Sequence, residues 1–194
     1  VCLVCSLLKE FGFKPEDFYS QISSALLTFS GGKRRSEIVG KIPLKNNKNV
    51  IVIDDYAHHP TAIRTTLQGF KEFYKGRRII VDFMSHTYSR TLSLLKEFAS
   101  SFACADEIYL HKIYSSAREN PSDFDISGKT LYDEVLKTGV KKENVHYFEE
   151  PLSALPSVIK SISSSQDDFP DGFLFVTMGA GDNWKLGKAL IEKF

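Results

Sequence analysis

Within six consecutive positions the chain places two acids, a phenol and two imidazoles, as Asp54-Asp55-Tyr56-Ala57-His58-His59. Such groups can move protons near neutral pH, hold a metal ion or fix a charged ligand. Three further polar clusters stand at Ser85-His86-Thr87-Tyr88-Ser89-Arg90, at residues 112–119 and at Gly179-Ala180-Gly181-Asp182. Each follows a short apolar run, so each occupies the turn after a candidate strand. In an open α/β sheet, ligands bind at those carboxyl ends. The helices that follow point their amino ends to the same edge, which favours anions. A ligand carrying carboxylate or phosphate is therefore expected. Arg90 supports this, because a cation in the first turn of a helix opposes the dipole and suggests an anionic partner.

Plainer roles compete at several positions. Asp54 or Asp55 can cap the helix that opens at Pro60. His58 and His59 are adjacent, whereas zinc sites space their ligands by three or more positions, so no metal is expected there. Gly179-Ala180-Gly181 is half of a dinucleotide fingerprint, but its sixth position is Trp184. A tight turn that lets a ligand approach the backbone is expected instead. Cys2 and Cys5 have no second pair and read as small core residues on one helix. No Gly-x-x-x-x-Gly-Lys-Ser/Thr phosphate loop occurs in the chain.

The elements that must carry these clusters follow from periodicity. Val4, Leu7, Leu8 and Phe11 recur at helical spacing and Gly12 stops that helix. Pro15, Glu16 and Asp17 open a second helix, with Phe18, Ile22, Ala25 and Leu26 expected inward. Residues 30–35 break the pattern and read as a linker. Strands are expected over 36–43 and 49–53, joined by an Asn-rich turn at 46–49. Beyond them, helices over 60–74, 91–102, 129–137, 152–162 and from about 183 alternate with strands over 78–83, 107–110, 145–148 and 173–177. Leu92, Leu95 and Phe98 should face inward. Residues 161–171 read as a surface loop. Alternating strands and helices with short connections imply a largely parallel α/β sheet covered on both faces.

Composition narrows the class. At 194 residues the chain suits one domain of ordinary size, with a fragment of another. A formal charge of +1 gives no field for nucleic acid or a membrane surface. Three cysteines fit a reducing cytoplasm better than a secreted disulfide scaffold. No apolar run reaches membrane-spanning length, and the start lacks the basic region of a signal peptide. Val1 opens inside a helical pattern, so the chain reads as a piece of something longer.

Taken together, Gly32-Lys33-Arg34-Arg35-Ser36-Glu37, residues 54–61, His86-Thr87-Tyr88-Ser89-Arg90-Thr91, residues 113–119 and Gly179-Ala180-Gly181 resemble the Mur ligases, in order and over nearly the whole chain. The Asp-Asp-Tyr-x-His-His-Pro-Thr and His-x-Tyr-Ser-Arg-Thr elements are the specific ones. The resemblance implies a Rossmann-like carboxyl-terminal domain, mostly parallel with one antiparallel strand near the start. It implies three domains in the intact protein: one for the UDP-sugar, one holding ATP and Mg2+, and one bringing the amino acid. Residues 1–34 would then be the tail of the ATP-binding domain and linker, and 35–194 the amino-acid-binding domain. This fragment would be inactive alone. The branch it resembles most joins L-alanine to UDP-N-acetylmuramate in peptidoglycan synthesis, in the cytoplasm, through an acyl phosphate that the amine attacks.

The resemblance also carries roles. Arg35 would reach the nucleotide phosphates, and Asp55 would hold the ribose or orient a cation. Tyr56, His58, His86 and Arg90 would form the amino-acid pocket, with Arg90 on the carboxylate and His58 and His86 near the amine. Either imidazole suits the proton transfer. Three departures stand out: Ser36 where Phe is usual, Met84-Ser85 for Gln-Pro, and Thr87 where Arg is frequent. A branch that recycles murein tripeptide shares Asp-Asp-x-Ala-His-His-Pro-Thr-Ala-Ile but lacks the His-x-Tyr-Ser-Arg-Thr element. A non-catalytic binding module with the same pocket is the alternative of another class.

Overall fold

The computed structural model describes residues 2–29, 31–165 and 168–194, in two compact units, Val1–Gly32 and Lys33–Phe194. In the first unit, α1 (Cys2–Glu10) and α2 (Tyr19–Thr28) are joined by a 3-10 turn over Pro15–Phe18. Gly12 ends α1 as expected. Its φ of 79° lets Gly12 N reach Lys9 O at 3.0 Å and Phe13 N reach Leu8 O at 2.8 Å, which satisfies the last carbonyls. The expected inward faces are not inward. Neither helix has a buried residue; Leu26 is exposed, Ile22 and Phe18 are half-buried, and Cys2 and Cys5 are not core residues.

The second unit is built on six strands: β1 (Glu37–Pro43), β2 (Asn49–Asp55), β3 (Arg77–Met84), β4 (Glu107–Leu110), β5 (Val145–Tyr147) and β6 (Gly172–Gly179). Their order is β1-β2-β6-β3-β4-β5. β1 runs antiparallel to β2; every other neighbouring pair is parallel. The β1–β2 turn places Asn46 and Asn47 at φ 57° and 59°, with Lys48 N on Lys45 O at 3.2 Å. Asparagine tolerates that left-handed pair, which matches the twist of the flanking strands.

Alternate side chains serve the two faces. Ile51 and Ile53 of β2 join Val81 and Phe83 of β3 in one core, against α3 (Pro60–Phe73), α5 (Leu95–Ser100) and α6 (Gly128–Leu136). Val50 and Val52 join Phe173 and Phe175 in the other, against α7 (Leu155–Ser164) and α8 (Trp184–Lys193). β6 is buried along its whole length because it lies between β2 and β3 and is covered on both faces.

One expected helix is two. The pattern over 91–102 resolves into α4 (Tyr88–Ser93) and α5, divided at Leu94. The break rotates the apolar stripe, so Leu92 is 46% exposed while Thr91 is buried. The expected loop over 161–171 is shortened, since α7 runs to Ser164; residues 166 and 167 of that stretch lie outside the described residues. No described helix is long and apolar enough to cross a membrane.

At the amino-terminal edge of the sheet, Glu107 is buried with its charge met from several sides. Arg78 lies at 3.1 Å, His146 at 3.0 Å, and the Tyr109 and Ser161 hydroxyls at 2.9 and 2.5 Å. Burial pushes its carboxyl up, but these partners outweigh burial and hold it below the usual carboxylate range. Removing one partner of such a set leaves an uncompensated buried charge, which typically costs about 3–5 kcal/mol.

Candidate functional site

β2, β6, β3 and β4 are consecutive and parallel in the sheet, so the four polar turns do meet at one edge. The carboxyl end of β2 delivers Asp54 and Asp55, both buried. Neither caps α3. That role falls to His59, whose Nδ1 accepts from Thr61 N at 3.3 Å. Asp54 instead binds Arg34 Nε at 2.8 Å and the Thr177 hydroxyl of β6 at 2.8 Å. Asp55 ties the entry of the chain to the turn: Oδ2 accepts from Ser36 N at 2.7 Å and Ser36 Oγ at 3.1 Å, and Oδ1 accepts from Ala57 N at 2.8 Å.

Tyr56 and His58 stand at the rim. Tyr56 is exposed and meets His58 edge-on, with ring centroids 5.1 Å apart. His58 Nδ1 is 2.9 Å from Tyr56 O, so Nδ1 carries a proton and donates to that carbonyl, which leaves Nε2 facing outward. His86, after β3, is half-buried and close to His58 and Arg90. Burial, then the positive Arg90 and the neighbouring His58 ring, lower its pKa from the ordinary imidazole value, while Glu119 acts in the opposite direction. His86 is thus neutral at neutral pH and able to take a proton.

Arg90 lies in the first turn of α4, where Nη1 donates to His86 O at 2.9 Å. Glu119 meets the amides at this helix start, accepting from Tyr88 N at 2.8 Å and from Ser89 N at 3.3 Å. Thr87, where the resemblance leads one to expect Arg, caps α4 through Oγ1 to Arg90 N at 3.5 Å. A Cβ on Gly179, whose φ is 121°, would lie 2.3 Å from Met84 O, and one on Gly181 would lie 2.5 Å from Met84 Sδ. These glycines admit the close approach of the end of β3.

Arg35 is exposed and makes no ion pair among the described residues, so its guanidinium is available for a phosphate. Arg34 is the arginine built into the fold. Besides Asp54, it donates through Nη2 to Gly179 O at 2.8 Å and covers the Tyr56 ring at 5.1 Å. Among the described residues no group of three His, Cys, Asp or Glu side chains could hold a metal ion. Asp55 already accepts three bonds of the roughly four open to a carboxylate. The residues present thus fit a contact with nucleotide phosphates through Arg35, and not a complete metal site.

Beneath the rim lies a buried polar support invisible in the sequence pattern. His111, after β4, bonds Asp82 of β3 through Nε2 and Phe148 O through Nδ1 at 2.9 Å. Both nitrogens face acceptors, so both carry protons. Burial lowers the His111 pKa, but Asp82 and Phe148 O prevail and raise it overall. Asn183, just before α8, donates to Asp82 Oδ2 at 2.9 Å and to Met178 O at 3.0 Å. This set locks the ends of β3, β4 and β6 to one another. Only the buried acid inside the apolar run at 79–83 could have signalled it.

Fold and site together define an α/β domain that gathers ionisable side chains from several turns at the carboxyl edge of a mostly parallel sheet. A family model described as "Mur ligase, glutamate ligase domain" matches residues 34–181, and the chain belongs to that family. It is 43% identical over 195 residues to the UDP-N-acetylmuramate–L-alanine ligase of Treponema pallidum (strain Nichols), covering 100% of this chain and 37% of that protein. It is 41% identical over 172 residues to the same-named ligase of Borreliella burgdorferi, covering 88% of this chain and 33% of the other. The crystal structure of UDP-N-acetylmuramate-alanine ligase from Thermotoga maritima aligns with a TM-score of 0.67 at 27% identity, over 98% of this chain and 35% of that one. A murein peptide ligase from Psychrobacter arcticus shares the fold, with a TM-score of 0.57 at 24% identity, over 87% of this chain and 31% of that one. The chain thus spans about a third of the length of the relatives it matches.

Proposed function

We propose that this chain is the carboxyl-terminal part of an ATP-dependent ligase that joins L-alanine to UDP-N-acetylmuramate in peptidoglycan synthesis, in the cytoplasm. The observation that carries the reading is the 43% identity to an L-alanine-adding ligase along the whole chain. Residues 1–34 are then the end of a domain that holds ATP and Mg2+, and 35–194 the amino-acid-binding domain. ATP, when bound, supplies the phosphoryl group that activates the muramoyl carboxylate.

The chain's own residues deal with the amino acid. Arg90 keeps most of its donors free beyond the bond to His86 O, and a guanidinium can meet a carboxylate with two parallel bonds. The ammonium of alanine must lose a proton before it can attack, and we assign that proton to neutral His86, with the free Nε2 of His58 orienting the amine. Tyr56 closes the rim. Arg35 is assigned to the nucleotide phosphates. Asp55 is assigned to the ribose or a cation through its remaining lone pair, while it anchors Ser36 and Ala57.

Expression of the intact protein in a bacterium depleted of its own L-alanine-adding ligase tests the reading. Restored growth and a restored pool of UDP-N-acetylmuramoyl-L-alanine are expected. Growth arrest despite normal expression would count against it.

A further inference from the structure

The turn that carries His86 and Arg90 is held from outside by the segment that follows β4. Tyr114 N donates to Ser85 O at 2.8 Å, and the Tyr114 ring lies 5.8 Å from that of His86. Five residues on, Glu119 reaches the start of α4. One carboxylate oxygen accepts from Tyr88 N at 2.8 Å; the other accepts from Ser89 N at 3.3 Å and from the Ser89 hydroxyl. Burial pushes this carboxyl up, but the Ser89 hydroxyl and the Tyr88 and Ser89 amides together outweigh it and hold the carboxyl below its usual range, so the clamp is an anion at neutral pH. Arg90 follows the two clamped amides directly and binds back to His86 O at 2.9 Å. Its aim therefore depends on a helix of six residues whose start is fixed by another loop.

We propose that Glu119 is a positioning residue for the amino-acid site: its carboxylate fixes the turn that presents His86 and Arg90 to the ligand. The proposal rests on the function assigned above. Without the carboxylate, the Tyr88 and Ser89 amides turn to water and the start of α4 samples other conformations. Apparent affinity falls in proportion to the fraction of molecules that remain competent. The function proposed above assigns the nucleotide to Arg35 and Asp55 and not to this turn, so the loss should register with the amino acid and not with ATP.

The test compares Glu119→Ala and Glu119→Gln with wild type in the intact protein. The amino acid used is whichever of L-alanine, L-serine and glycine the wild type ligates best. A wrong choice of alanine then shows in the wild type alone, and a wrong role for Glu119 shows in the variants alone. Glu119→Ala should raise the KM for the amino acid about tenfold or more, a competent fraction of about one tenth, and leave the KM for ATP unchanged. Glu119→Gln keeps one acceptor oxygen and should fall between. A merely structural role would lower the melting temperature and the active fraction, hence kcat, without moving that KM. An amino-acid KM within about twofold of wild type in both variants would overturn the proposal. Should Glu119→Ala fail to fold, Glu119→Gln decides by the same criterion.

Discussion

Arg90 uses Nη1 on the His86 carbonyl and makes no ion pair among the described residues. Losing a charge-assisted hydrogen bond typically removes about 1.5–3 kcal/mol, roughly ten- to more than a hundredfold in affinity. In the intact protein, Arg90→Ala should raise the KM for L-alanine by that factor and leave the KM for ATP nearly unchanged. Arg90→Lys should recover only part, because an ammonium cannot make the planar two-bond contact. Steady-state kinetics with each substrate varied in turn would check this, and a loss confined to ATP would move the pocket elsewhere. His111 gives a prediction about pH. Its folded-state pKa is raised by Asp82 and Phe148 O in spite of burial. Its stabilisation is therefore fully present below the unfolded imidazole value of about 6.5 and is lost as pH rises through the higher folded value. Urea midpoints of the isolated chain should fall over that window, and His111→Gln should flatten the dependence; an unchanged slope in the variant would refute it. The placement of Tyr56, His58, His86 and Arg90 at the carboxyl edge of the sheet was legible because each follows an apolar run that forms a buried strand. Arg34, Asp82, His111, Asn183 and Glu119 were not, because their partners lie on other strands and loops.

At the scale of elements, alternation of strands and helices was legible because buried parallel strands and amphipathic helices carry different periods. The boundary between α4 and α5 was not, since Leu92 and Leu95 continue a helical spacing that the break at Leu94 interrupts. The position of β6 between β2 and β3 also escaped, because strand order has no local sign in the chain. The first two helices were legible as helices, but the inward face expected of the second, with Phe18, Ile22, Ala25 and Leu26, is not buried, and Leu26 is exposed. Helices of nine and ten residues without a buried face are marginal in water. Hydrogen exchange of the isolated chain should therefore be faster in α1 and α2 than in β2, which is buried and paired on both sides. Equal protection would show that these helices are held as firmly as the sheet.

At the scale of the molecule, the sheet of the second unit has two full cores and a satisfied polar edge. The chain should show a cooperative thermal transition by itself, yet it carries no phosphate loop and should not turn over ATP. Sustained ATP hydrolysis by the purified chain would contradict that division of labour. The central claim is that the carboxyl edge of this sheet takes L-alanine for ligation to UDP-N-acetylmuramate. The most direct test is phosphate release by the intact protein with ATP and UDP-N-acetylmuramate, comparing L-alanine, L-serine, glycine and murein tripeptide. Release should be fastest with L-alanine and should match the UDP-N-acetylmuramoyl-L-alanine formed, one for one. Release driven by the tripeptide and not by L-alanine, or no amino-acid-dependent release at all, would contradict it.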